Sequence, residues 1–343
     1  MSWIRKNTIL IIYYLWLIFI FYLLFFFSLY LISVFTLRNG IVINSWPFLE
    51  YQKNYYFAGY RKIWQKDVSC IKVDAKLIYS PKLGECHFKN PEFNTTLNFD
   101  KSGRMNAIST NFAKKGIAVL GDSFSMGWGV NNDETFSSLL QSKINKPVYN
   151  LGVASYGTYR EIEHLLLSNL LDKVDTLIIQ YCDNDLEENI KMINDFDFNA
   201  KLNEYKKSLN QTRSNKKLVQ DFFKYIKFAL MEPISKVSSL NSDLELENNN
   251  FDPHFKAFNE VIKFYAKDLN DKKIIVFYCQ SNGKKFHNFP VGQDPTHKNI
   301  YFFDLNLNPK YFYKVDGHLN VQGHKEVANS LFKLIHDQSN HAL

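Results

Sequence analysis

Gly116-Ile117-Ala118-Val119-Leu120-Gly121-Asp122-Ser123-Phe124 is the stretch that decides how this chain folds. Four consecutive apolar residues bounded by glycines read as a strand buried on both faces. Gly-Asp-Ser then turns the chain into a helix, which puts the Ser123 side chain at the carboxyl edge of a sheet, where open α/β sheets bind ligands. Similar short apolar runs recur at 148–151, 176–181, 274–278 and 300–305. Between them lie amphipathic stretches at 135–144, 159–171 and 255–269. Strands alternating with helices predict a parallel sheet covered on both faces.

Composition agrees with one such body and excludes other classes. The 343 residues are 46% hydrophobic and 22% charged, too apolar for a disordered chain. A mean hydropathy of −0.25 is too low for several membrane spans. With 14 Gly, 9 Pro and 4 Cys, collagen-like and disulfide-dense classes are out. Aromatic content is the anomaly at 16%, with 30 Phe and 20 Tyr, and much of the excess sits in residues 7–37, which hold 11 aromatics and carry no charge. At about 1.5 Å per residue that run is long enough to cross a bilayer with tilt. It lacks the short apolar core and small-residue cleavage site of a signal peptide. The reading is therefore a single membrane helix. Arg5 and Lys6 before it favour a cytoplasmic N-terminus and an exported, periplasmic or extracellular, body.

The net charge of +7 comes with no zinc spacing, basic stripe or recognition motif, so no nucleic-acid partner is expected. A basic body beside anionic lipid or acidic glycan accounts for it. Cys70 and Cys86 flank a turn-rich loop and are read either as a disulfide of an exported region or as two free thiols. Cys182 and Cys279 follow apolar runs and read as small hydrophobes. The expected organisation is a cytoplasmic N-terminus and membrane helix over 1–37, then a connector over 38–114. The connector has turn clusters at 80–82 and 101–103 and a strand-like piece at 75–79. The catalytic domain follows over 115–343, interrupted at about 187–250 by a Lys-, Asn- and Ser-rich helical insertion or lid with an apolar patch at 222–231.

Four segments carry candidate chemistry. Gly121-Asp122-Ser123 offers a hydroxyl at a helix N-terminus, whose free N–H groups suit an oxyanion, although Asp or Ser there also serves as a helix cap. Asp316-Gly317-His318 puts a carboxylate two residues from an imidazole before a helix, the pairing that orients a general base. It also suits a metal, but no matching His/Asp cluster occurs elsewhere, so no metal or other cofactor is expected. Residues 150–158 (NLGVASYGT) have the small residues that let backbone approach a ligand. In 180–185 (QYCDND), Asn184 has an amide that can donate to an oxyanion. Ordinary turn chemistry also favours these residue types in the last two segments.

Taken in order, the four segments resemble the SGNH/GDSL hydrolase family. Gly121-Asp122-Ser123-Phe124 is similar to its nucleophile block, 150–158 to its glycine block, Asn184-Asp185 to its asparagine block and Asp316-Gly317-His318 to its closing Asp/His block. The resemblance spans roughly residues 115–335 and implies a three-layer α/β/α, flavodoxin-like fold with a serine nucleophile acting on acyl esters. Two departures stand out. The final spacing is Asp-x-His rather than Asp-x-x-His, similar to membrane-anchored envelope members such as the alginate O-acetyltransferase-like proteins. The position usually held by the oxyanion glycine falls on Ser155, with Gly157 two residues on.

The resemblance implies catalytic Ser123, Asp316 and His318, with oxyanion donors drawn from Ser123, Ser155 or Gly157, and Asn184. It further implies an esterase or O-acyltransferase working through acyl-Ser123 on O-acyl groups of envelope glycans. The chain is held to the membrane by residues 8–37 and, for a transferase, partnered by a membrane-bound O-acyltransferase. A lipid or small-ester esterase and a non-catalytic glycan-binding or assembly module on the same fold are the alternatives.

Overall fold

The computed structural model describes residues 2–45, 48–106, 115–144, 146–193, 197–210, 253–278, 291–294 and 297–340. They divide into two compact units. The apolar patch at 222–231 and Cys279 lie outside the described residues.

The first unit holds residues up to Lys62 together with Lys314–Asp316. Helix α1 (Ser2–Arg38) is long and apolar enough to cross a membrane, with a mean hydropathy of 2.7 over its most apolar 18-residue stretch. Its side chains from Ile9 to Phe25 are almost all exposed, whereas Leu29, Tyr30, Val34 and Leu37 are buried against α2 (Phe48–Tyr55) and Tyr56. Buried Gln52 closes the turn between the helices: its amide donates to Thr36 Oγ1 and the Ile41 carbonyl, and its oxygen accepts from the Ile43 N–H.

The second unit is an α/β domain. It opens with a hairpin, β1 (Ile71–Asp74) and β2 (Ile78–Pro81), beside a disulfide joining Cys70 and Cys86, whose Cα atoms are 5.2 Å apart. The expected strand at 75–79 is mostly the turn of this hairpin. Asp74 Oδ1 accepts from the Lys76 and Leu77 N–H groups, a local side-chain alternative to extended pairing.

Three antiparallel strands follow, β3 (Gly84–Asn90), β4 (Phe93–Asp100) and β5 (Gly103–Arg104), and they extend the main sheet through β5. The body of that sheet is parallel: β6 (Gly116–Gly121), β7 (Val148–Asn150), β8 (Val174–Tyr181) and β9 (Lys273–Tyr278), followed by β11 (Ile300–Asp304) after the short edge strand β10 (Gly292–Gln293). The order across the parallel part is β7-β6-β8-β9-β11. Renumbered among themselves these strands read 2-1-3-4-5, the flavodoxin-like order with its switch point between β6 and β8.

The pleat explains why the strands are apolar throughout. Ile117 and Val119 face α4 (Phe136–Ile144) and α10 (Val321–Asn340), with Phe136, Leu140, Val327 and Leu331 in one core. Ala118 and Leu120 face the opposite way, into a second core with Ile162 and Leu165 of α5 (Thr158–Leu167) and Phe258 and Val261 of α8 (Pro253–Phe264). The architecture is three-layer α/β/α. Within the expected insertion, α6 (Asp185–Ile193) and α7 (Phe198–Asn210) are helical, and α9 (Ala266–Leu269) leads into β9.

Candidate active site

The chain leaves β6 through Gly121, whose φ of 141° is a conformation that favours glycine. A side chain there would also lie 2.4 Å from Ser125 Oγ. Asp122 caps the one-turn helix α3 (Ser123–Met126), its Oδ1 accepting from the Phe124 N–H at 2.9 Å. Ser123 is the first residue of that turn and is half-buried at the carboxyl edge of the sheet. Its N–H belongs to the set a helix start leaves unpaired, and no protein acceptor for it occurs among the described residues.

His318 arrives from the other end of the chain. The segment is pinned by a bridge between Phe312 and Leu319, by the Tyr313 N–H donating to the His318 carbonyl at 2.7 Å, and by the Gly317 N–H donating to the Tyr313 carbonyl. Downstream, Asn320 Oδ1 accepts from the Gly323 N–H at the start of α10. The imidazole packs on Phe124 and Trp128, with centroids 4.8 and 5.9 Å away, and Nε2 lies 2.7 Å from Ser123 Oγ. Two residues 195 positions apart are thus brought into hydrogen-bond contact.

The loop after β7 is laid directly on α3. The Leu151 and Val153 N–H groups donate to the Val119 and Gly121 carbonyls. Asn150 Nδ2 donates to the Ser125 carbonyl and Ser137 Oγ, both at 2.9 Å. Farther along, Ser155 has a φ of 61°, the left-handed region. Its Oγ accepts from Gln65 Nε2 and its carbonyl from Arg160 Nη2. The Ser155 N–H has no protein acceptor among the described residues, whereas the Gly157 N–H donates to Glu188 Oε1 at 2.9 Å. Arg160 itself is buried, ion-paired with Glu188 and stacked over Tyr156 at 4.4 Å and Tyr79 at 5.3 Å. Burial pushes the Tyr79 hydroxyl up to about 12, against the opposing pull of Arg160.

Asn184 follows β8 in an exposed turn at the same sheet edge. Its neighbour Asp185 is fully buried, as is Glu161, and burial together with nearby carboxylates holds both acids well above the usual range. Neither Glu161 oxygen has a hydrogen-bond partner among the described residues, the environment of a neutral acid. Burial also raises Asp122, opposed by the Phe124 N–H and by the charge that His318 carries when protonated.

Asp316 belongs to the first unit, one residue before Gly317-His318. Its buried carboxylate accepts a hydrogen bond at Oδ2 from the Tyr56 hydroxyl and lies 3.5 Å from Arg61 Nε.

Sequence reasoning missed several side chains that shape this site: Arg160, Glu188 and Arg104. Buried Arg104 donates to the carbonyls of Met126, Gly127 and Val130, tying down the segment that follows α3. Burial lowers its pKa to about 9, still charged at neutral pH. No local motif marks any of them. The one usable signal is a polar residue ending an apolar strand, Gln180, whose Oε1 accepts from the Asp122 N–H at 3.3 Å. Among the described residues no group of three His, Cys, Asp or Glu side chains is placed to hold a metal ion.

No family model and no curated protein matches the chain. Among solved structures it is similar to a lipolytic protein assigned to the G-D-S-L family from Desulfitobacterium hafniense, with 11% identity and a TM-score of 0.34. That alignment covers 64% of this chain and 99% of the other. It is also similar to a protein assigned as an acylhydrolase from Bacteroides fragilis, with 12% identity and a TM-score of 0.33, over 67% and 91% of the two chains.

Proposed function

We propose that this chain is a membrane-anchored serine acyl-ester enzyme, a hydrolase or O-acyltransferase that acts on acyl groups of cell-envelope glycans. The observation that carries the reading is the 2.7 Å contact between Ser123 Oγ and His318 Nε2, made at a helix start beside the sheet's switch point. In this mechanism His318, oriented by Asp316, takes the Ser123 proton as Oγ attacks the ester carbonyl. The oxyanion is held by the N–H groups of Ser123 and Ser155 and by the Asn184 amide. Ser155 is preferred over Gly157 because the Gly157 N–H is committed to Glu188. Collapse breaks the bond to the leaving alcohol, which departs with the proton from His318. Water or a sugar hydroxyl then gives its proton to His318 and takes the acyl group.

Location supports the substrate class. The exposed apolar part of α1, about twenty residues, spans about 30 Å, matching the hydrocarbon core. A Cys70–Cys86 disulfide suits an oxidising compartment. A tethered enzyme facing outward meets immobile glycan more readily than a diffusing metabolite. Activated acyl donors are made in the cytoplasm, so a transferase would work with a multi-span O-acyltransferase.

The test is p-nitrophenyl acetate turnover by the protein, with and without acceptor oligosaccharide, beside labelling by a fluorophosphonate. Hydrolysis alone selects the esterase, and acylated acceptor selects the transferase. Labelling that persists in Ser123→Ala removes the nucleophile, and absence of both turnover and labelling in the wild type leaves a binding module.

A further inference from the structure

We propose that Phe124 and Trp128 are positioning residues for the general base, their ring faces holding the His318 imidazole towards Ser123 and stabilising the positive charge it gains in the reaction. The inference rests on reading Ser123 as the nucleophile and His318 as its base, and it gives two aromatic side chains a role exerted through His318.

Both rings belong to the segment that begins at the nucleophile. Phe124 follows Ser123 in α3, and Trp128 lies just beyond that turn, its N–H donating to the Ser123 carbonyl at 2.9 Å. The imidazole centroid lies 4.8 Å from that of Phe124 and 5.9 Å from that of Trp128, at interplanar angles of 36° and 50°. Both separations fall inside the ~6 Å reach of a cation–π contact. All three side chains are buried, so little water is at hand to solvate a charge on the imidazole. Trp128 is itself held from two sides. Arg104 donates to the carbonyls of Met126, Gly127 and Val130, which bracket it in the chain. Phe88 of β3 and Phe93 of β4 pack on the indole with centroids 4.6 and 5.7 Å away. Phe93 also packs on Tyr313, whose N–H donates to the His318 carbonyl and whose hydroxyl donates to the Gly129 carbonyl. The antiparallel strands appended to the parallel sheet thus reach the base through one aromatic cluster.

The proposed chemistry gives this packing a consequence. As Ser123 Oγ bonds to the ester carbonyl carbon, the carbonyl π pair moves to its oxygen and the Oγ proton passes to His318 Nε2, 2.7 Å away. A neutral imidazole becomes a cation. The face of an aromatic ring is the negative part of its quadrupole, so it attracts the cation more than the neutral ring. The interaction is therefore stronger in the transition state than in the ground state, which is the condition for raising kcat rather than lowering KM. Aliphatic side chains of similar bulk would fill the same space without that field.

The experiment uses the full chain in detergent micelles, with p-nitrophenyl acetate turnover as the readout. A series of progressively fluorinated tryptophans, placed at position 128 through an amber codon, drains the negative face while nearly preserving shape. Across the series kcat is expected to fall stepwise, to a total loss of roughly five- to 30-fold with KM unchanged, the range for a cation–π contact out of water. Trp128→Leu and Phe124→Leu are each expected to lose a similar factor. If either leucine variant does not fold, the fluorinated series decides, because it leaves the packing in place. A flat kcat along that series overturns the proposal, even beside a loss in Trp128→Leu, since a purely steric role does not sense ring electronics. Ser123→Ala and His318→Ala test the underlying reading. Wild-type turnover in either refutes the nucleophile or the base, whereas loss in both beside a flat series refutes the aromatic role alone.

Discussion

Alanine at Gly152 is expected to separate the two halves of the proposed oxyanion hole. A Cβ at this position would lie 2.3 Å from the Met126 nitrogen, 2.6 Å from the Ser125 carbonyl carbon and 2.8 Å from Ser125 Cβ. Two of those atoms are backbone of the turn that begins with Ser123, so no side-chain rotation relieves the clash. Ordinary contact begins near 3.4 Å, and the loop after β7 must therefore move away from α3 by about 1 Å. Overpacking of this kind costs about 1–3 kcal/mol of stability. The catalytic cost is larger, because Ser155 sits three residues along the displaced loop while Ser123 stays with α3. A misplacement of about 1 Å at a catalytic group costs on the order of 100-fold in rate. Gly157→Ala is the matched control. Its nearest neighbours are Glu188 Cβ at 3.0 Å and Cδ at 3.2 Å, contacts relieved by a shift of a few tenths of an ångström rather than about 1 Å, and its N–H still faces Glu188. The assay is kcat/KM on p-nitrophenyl acetate for both variants, with thermal unfolding to confirm that each is folded. A folded Gly152→Ala with wild-type kcat/KM, or a Gly157→Ala that falls as far, would refute the assignment of Ser155.

Three other outcomes follow from the same geometry. Asn184→Ala is expected to cut turnover on the order of 100- to 1000-fold with little change in unfolding midpoint, since the residue is exposed; near-normal turnover removes Asn184 from the site. Cys70→Ser with Cys86→Ser opens a 16-residue link and should lower stability by about 3 kcal/mol in denaturant titration, an effect that dithiothreitol should reproduce in the wild type. Glu161 is held well above its usual pKa by burial, so the folded state keeps a proton the unfolded state releases; stability is fullest below the unfolded pKa and falls as pH rises towards the folded one. The slope is about 1.4 kcal/mol per pH unit for one such group, and Glu161→Gln should flatten it, which urea midpoints between pH 5 and pH 8 will show.

What the sequence revealed depended on whether the information was local. The five parallel strands were legible because burial on both faces writes an unbroken apolar run, as in 117–120 and 274–278. The segment at 75–79 was misread because its turn is made by one side chain, Asp74, and by Ile78 at a φ of 70°, neither of which a propensity pattern registers. Strand β4 alternates buried and exposed residues, but nothing in 93–100 says that it joins the main sheet through two residues of β5. The contact of Ser123 with His318 was readable as two short motifs. The engagement of Gly157 by Glu188, 31 residues away, and of Asp316 by Tyr56, 260 residues away, was not, because a partner so distant leaves no mark on the local pattern.

The departure at Ser155 then has a physical account. Non-glycine residues at positive φ cost roughly 1–3 kcal/mol and persist only where the surroundings over-determine them. Here three contacts do so. Gln65 holds the hydroxyl, Arg160 holds the carbonyl, and Glu188 holds both Arg160 and the Gly157 N–H. Arg160 is fixed in turn by its stacking over Tyr156 and by its own burial. A glycine at 155 would adopt the conformation without strain but would offer Gln65 no hydroxyl. Serine keeps the backbone N–H in place and adds a side-chain restraint that glycine cannot supply. Glu188 lies on α6, the helix that follows β8, and Arg160 lies on α5, the helix that follows β7. Their ion pair therefore couples the loop carrying Ser155 to the helix that begins beside Asn184, so the two proposed oxyanion donors, reached from different strands, are held in one frame.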